Sequence, residues 1–137
     1  MDSSNVSPNP LQVQVGGDHY KLMRIQPLQF AMANQWDPCA ANILKYVTRH
    51  RSKNGLQDLQ KAVHYVSLRA ELLVRGSNYP VPVISVKDYV EQNQLPPAEK
   101  AVVLALALWV QLDGIRAQME VQVALSHLIS TYAEVAE

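Results

Sequence analysis

Leu56, Leu59, Val63, Val66, Ala70 and Leu73 follow one another at intervals of 3, 4, 3, 4 and 3. An α-helix, at 3.6 residues per turn, brings such positions to one face, and a strand scatters them over two. A helix with one apolar stripe is stable only when that stripe is buried against a neighbour. The rest of the chain supplies neighbours of the same kind. Pro27, at a first helical position, leads Leu28, Phe30, Ala31 and Met32 into a short helix ending near Asn34. Asp37-Pro38 is an N-cap followed by a proline at the first position, and Ile43, Leu44 and Val47 give the following helix an apolar face as far as about Arg51. Ser52 to Gly55 is a turn, and the helix carrying the seam is expected to stop at Gly76. Ser85 and Asp88 resemble a capping box opening a short helix to about Asn93. Pro96-Pro97 begin a strongly apolar helix to Leu112, Asp113-Gly114 break it, and a last helix runs from Ile115 to about Ala133. No segment alternates with the period of a strand. The expected fold is all-α: a bundle of about five helices, with an N-terminal helical hairpin core and a C-terminal helical extension.

At 137 residues and 15.3 kDa the chain can bury a core without covalent staples, and an apolar fraction of 48% is that of a globular protein. The single cysteine, Cys39, excludes an internal disulfide and any multi-cysteine zinc site, which suits a reducing compartment. The longest apolar run, Ala101 to Val110, is ten residues, about half of what a membrane span needs. Residues 1–14 carry Ser, Asn and two prolines and are expected to be a flexible arm, with no signal-peptide pattern. Residues 77–83, with Pro80 and Pro82, mark an extended boundary between two halves, 15–76 and 77–137.

The formal charge is zero, which argues against a generally basic nucleic-acid coat. That zero conceals an asymmetry. Residues 1–39 have net charge −1. Residues 40–75 set seven cations against two anions, net +5, and residues 76–137 set three against seven, net −4. A basic middle in a neutral protein points to a local anion site.

The usual nucleotide motifs are absent: no P-loop, no G-x-G-x-x-G, no nucleophile elbow and no H-E-x-x-H. What remains is cationic. Lys45 and Arg49 are four residues apart and share a helix face. Lys53-Asn54-Gly55 form the corner, where Asn54 and Gly55 tolerate left-handed geometry and are expected to expose backbone N–H groups beside a helix N-terminus. Asp58, Lys61 and Tyr65 lie beside the apolar seam of the next helix. One corner holding Lys45, Arg49, Lys53, Lys61 and a tyrosine suits phosphate; the plain alternative is a solvated basic edge. His19-Tyr20, after a Gly16-Gly17-Asp18 turn, offers a proton shuttle or phosphate donor, or else a turn histidine with a structural hydrogen bond. Cys39, at a helix start, is expected to be a buried, inert thiol, and Trp36 and Trp109 to be core or interface residues.

The ordered set Gly16-Gly-Asp-His-Tyr20, Ile25-Gln26-Pro27, Asn42-Ile-Leu-Lys-Tyr46 with Arg49, Lys53-Asn-Gly55, Asp58-Leu59, Lys61-Ala62 and Tyr65 resembles the SaV-like family of small phage proteins. The resemblance covers residues 15–73. Gln57 and Gln60 stand where relatives are expected to carry more charge, and residues 77–137 resemble nothing recognisable. That family includes a podovirus nucleotide kinase that phosphorylates deoxynucleoside monophosphates without a P-loop. The resemblance implies a phage protein acting in the host cytoplasm, with residues 15–76 forming a nucleotide-binding domain.

Together these readings predict nucleotide binding with phosphoryl transfer to a deoxynucleoside monophosphate. Lys45 and Arg49, with Lys53 and Lys61, hold phosphates, and Asp58 orients the acceptor or a lysine. His19 and Tyr20 contact base, sugar or the transferred group, with Gln26, Asn54, Gly55 and Tyr65 completing the substrate site. No metal ligands are expected; magnesium arrives with the nucleotide. The alternative is a non-catalytic nucleotide sponge or an inhibitor of a host protein. An all-α pyrophosphatase lacks its acidic metal cluster here, and nucleic-acid binding ranks low because few aromatics accompany the cations. A homo-oligomer is expected, with the acidic, apolar C-terminal half as the assembly or partner-binding region.

Overall fold

The computed structural model describes residues 23–72 and 81–136, together with Asn9. His19, Tyr20, the Gly16-Gly17-Asp18 turn, most of the N-terminal arm and the expected stop at Gly76 lie outside the described residues. Among the described residues, six α-helices follow in order: α1 (Pro27–Ala33), α2 (Pro38–Arg49), α3 (Leu56–Leu72), α4 (Val86–Gln92), α5 (Pro97–Leu112) and α6 (Ile115–Ala136). One turn of 3-10 helix, His50–Ser52, follows α2, and the described residues contain no strand. The all-α expectation holds.

The starts are set by the residues that the sequence offers. Asp37 accepts the Ala40 N–H at 2.9 Å, with Pro38 at the first position of α2, and Ser85 accepts the Asp88 N–H at 3.0 Å to open α4. The corner between α5 and α6 turns on Asp113 (φ 55°) and Gly114 (φ 93°), both in the left-handed half of backbone space. α6 runs to Ala136, three residues beyond the expected end.

Two helical hairpins make the bundle. α2 lies against α3 and α5 against α6; the hairpins then pack together through α3 on α6 and α2 on α5, and α1 and α4 close one side. A single apolar core joins Ile43, Leu44 and Val47 of α2 to Leu59 and Val66 of α3, Leu106 and Trp109 of α5, and Leu125 and Leu128 of α6. Phe30 meets Trp36 edge-on at 5.1 Å and Tyr89 at 4.8 Å, which ties α1 to α4. Asn34 fixes the same side: its Oδ1 accepts from the N–H groups of Val83 and Ile84, and its Nδ2 donates to the Ile84 carbonyl.

α3 departs from expectation in its buried face. Leu56 and Val63 are 38% and 42% exposed, and Ala70 is exposed; Leu73 lies outside the described residues. The face actually buried is Asp58, Leu59, Ala62, Val66 and Arg69. The spacing is still helical, but α3 packs on two helices at once, and its buried stripe includes two charges. Each charge is partnered, as a buried charge must be. Asp58 meets Arg49 of α2. Arg69 meets Asp37 at 2.9 Å and Asp113 at 3.4 Å, and its guanidinium lies 4.3 Å from the centre of the Trp109 ring. Choosing the stripe by apolarity alone overlooks both.

Candidate functional site

The helical hairpin α2–α3 brings part of the cationic set together around one aromatic ring. Tyr46 is buried, and three cations approach its ring: Lys45 Nζ at 4.5 Å, the Arg49 guanidinium carbon at 4.9 Å and Lys61 Nζ at 5.6 Å from the centroid. Tyr65, one turn beyond Lys61, stacks on Tyr46 at 5.9 Å. The rings orient the cations by cation–π attraction while each charged head remains half-buried at the surface. Neither lysine forms an ion pair with another described residue.

Arg49 is held by a buried carboxylate. Its Nε and Nη2 each donate to Asp58 at 3.2 Å, a two-pronged contact that fixes the plane of the guanidinium. Asp58 Oδ2 also accepts the Asn54 N–H at 3.3 Å. The carboxylate is therefore engaged on both oxygens and fully buried.

The turn differs from the expected anion cradle. Gly55 takes φ 56°, as foreseen, but its N–H donates to the His50 carbonyl at 2.8 Å. The Lys53 N–H reaches the same carbonyl at 3.4 Å, and the Asn54 N–H goes to Asp58. A turn this tight satisfies its own donors, so anion affinity at this corner has to come from side chains. Lys53 and Asn54 are exposed on the turn, and Gln26 is the N-cap of α1, where its N–H donates to Gln29 Oε1 at 3.2 Å.

Sequence reasoning missed a second polar cluster directly beneath the turn. His50 and Glu99 are buried, and His50 Nε2 lies 3.1 Å from Glu99 Oε2. An ionised carboxylate only accepts, so this ring nitrogen carries a proton. Nδ1 on the other side of the ring is hydrogen-bonded to the Tyr132 hydroxyl, 2.5 Å away. Arg51 pairs with both oxygens of Glu99 from the solvent side. Burial pushes the Glu99 carboxyl up, but the His50 and Arg51 hydrogen bonds and the Arg51 charge outweigh it and hold the group at about 2. Burial also raises the Tyr132 phenol, and the hydrogen bond to Glu99 raises Arg51. A cavity of about 300 Å³ opens beside His50, Arg51, Thr131 and Tyr132. The partners of His50 lie 49 and 82 residues away, and no local pattern announces them.

Cys39 is half-buried, and burial raises its thiol, with the Asp37 charge adding to that and Arg69 opposing it. That suits an inert thiol. Among the described residues no group of His, Cys, Asp or Glu is placed to hold a metal ion, and no helix is long and apolar enough to cross a membrane.

Residues 14–67 match the model of a family described as a protein of unknown function, DUF3310. The matched stretch contains Lys45, Arg49, Asp58 and Lys61, together with His50, whereas Glu99 and Tyr132 fall outside it. No curated protein matches the chain, and no solved structure matches its fold.

Proposed function

We propose that the protein binds the phosphates of a nucleotide at Lys45, Arg49 and Lys61. The observation that carries this reading is the gathering of three cations around one tyrosine ring, with Arg49 held by the buried carboxylate of Asp58. Like charges held this close repel, and a bound polyanion relieves that repulsion. Arg49, fixed in plane by Asp58, adds its charge to the cluster, and the two lysines act as adaptable point charges.

The activity we propose is transfer of a phosphoryl group to a deoxynucleoside monophosphate, a reading that rests on the resemblance to the phage family. Such a reaction requires in-line alignment and neutralisation of charge more than covalent participation. Lys45, Arg49 and Lys61 supply the charge, with magnesium brought by the nucleotide. A phage origin and the host cytoplasm belong to the same reading. Asp58 favours a second one. Its oxygens are engaged by Arg49 and Asn54 and it is fully buried, which supports a reading in which the site binds without activating an acceptor. A protein that sequesters a nucleotide, or inhibits a host protein, needs only the binding half.

Melting the protein with deoxynucleoside mono- and triphosphates, and assaying the same samples for diphosphate, tests both. Ligand at one hundred times its dissociation constant adds about 2.7 kcal/mol to stability. A raised melting temperature with diphosphate product supports the kinase, and a raised temperature without product supports sequestration. An unmoved temperature with every nucleotide overturns the proposal.

A further inference from the structure

The hairpin α5–α6 leaves an apolar face uncovered. Leu108, Leu112, Ile115, Met119 and Val123 are between 45% and 68% exposed. Beside them runs a groove of about 510 Å³ with Ala101, Ala105 and Ala124 among its lining residues. Ile115, Met119 and Val123 line that groove together, and an exposed apolar stripe of this kind is a mark of an interaction site.

We propose that this face is the interface between two copies of the chain, related by a twofold axis that sets α6 antiparallel to α6 of the second copy, with Met119 at the centre. Two features select that occupant. Ile115, Met119 and Val123 are evenly spaced at four residues, so reversal about Met119 places Ile115 opposite Val123 of the second copy and Met119 opposite itself. Arg116 and Glu120 are both exposed and line the groove on the same flank of that stripe. A twofold axis in the interface, perpendicular to the helix, brings each flank onto the same flank of the second copy with its direction reversed. Relative to Met119, Arg116 lies about 4.5 Å towards the N-terminus and Glu120 about 1.5 Å towards the C-terminus, at 1.5 Å rise per residue. After reversal, Arg116 of one copy and Glu120 of the other differ by about 3 Å along the axis, within side-chain reach, and the pair occurs twice. A parallel twofold arrangement carries each flank to the opposite one and loses both pairs. The interface does not depend on nucleotide binding.

Sedimentation equilibrium of the full chain, with charge-reversed variants, tests the geometry. The wild type is expected to be a dimer at micromolar concentration or to be built from dimers. Met119→Glu, at a half-exposed site that no core contact requires, is expected to weaken association at least a hundredfold with an unchanged helical spectrum. Arg116→Glu and Glu120→Arg singly are each expected to weaken it at least tenfold, and the double reversal to restore it, because both inter-copy pairs re-form. A wild type that is monomeric at all concentrations overturns the proposal, and so does association that survives Met119→Glu. Failure of the double reversal to recover what the single changes lose overturns the antiparallel arrangement.

Discussion

Replacing Glu99 by glutamine removes one charge from the buried cluster at nearly constant shape. In the folded protein this carboxyl is held at about 2, against an ordinary value of 4.5. Each pH unit between two such values is about 1.4 kcal/mol, so the ionised group contributes about 3 kcal/mol to folding at neutral pH. Its partner Arg51 is 58% exposed, and solvent screening of that half brings the expectation to about 2–3 kcal/mol. The sign follows from a lowered value. The unfolded chain takes up the proton near pH 4.5, whereas the folded chain resists until about pH 2. The contribution is therefore complete above about pH 5 and drains away as pH falls through that window. Urea unfolding of wild type and Glu99→Gln at a series of pH values reads the difference directly, and titrating groups remote from the cluster cancel in it. A gap of about 2–3 kcal/mol at pH 7 that closes towards pH 2 is expected. Equal stability at pH 7, or a gap that does not change with pH, would refute the claim that charge makes Glu99 the anchor of His50 and Arg51.

Asp58→Asn leaves Arg49 facing a neutral amide in a site where the carboxylate is fully buried. Breaking such a pair costs about 3 kcal/mol, which in a domain of this size lowers the melting temperature by about 10 °C; an unmoved melting curve would show that the pair holds nothing. Gln35 (φ 56°) and Gln94 (φ 52°) each occupy a left-handed position just past the end of a helix and are exposed. Gln35→Gly and Gln94→Gly are each expected to raise stability by about 0.5–1 kcal/mol in urea titrations, additively because the sites are independent, and a loss at either site would contradict the strain argument.

Helix starts and stops were legible in the sequence because they are written locally. Asp37-Pro38, Ser85 with Asp88, Pro96-Pro97 and Asp113-Gly114 each act within four residues, and the structure places element ends at each of them. Arg49 and Lys45 on a shared face, near Lys61 of the next helix, were legible for the same reason: a short turn between two helices leaves few ways to fold back. The buried face of α3 was not. It depends on which charges find partners, and Arg69 finds Asp37 and Asp113 at distances of 32 and 44 residues along the chain. The turn carried a false signal. Asn54 and Gly55 have the conformational freedom of an anion-binding loop, but that freedom serves here to close the backbone onto His50 and Asp58. The His50–Tyr132 contact joins the segment matched by the family model to the last helix, so nothing within either stretch reveals it.

The central claim is that the cations around Tyr46 bind nucleotide phosphate. Isothermal titration of a deoxynucleoside triphosphate into the wild type and into Lys45→Ala/Lys61→Ala tests it most directly, since both lysines are partly exposed and their loss leaves the core intact. Saturable binding by the wild type that weakens as salt is raised is expected, with affinity at least tenfold lower in the variant at an unchanged melting temperature. Equal affinity in the two proteins, or no heat of binding in either, would contradict it.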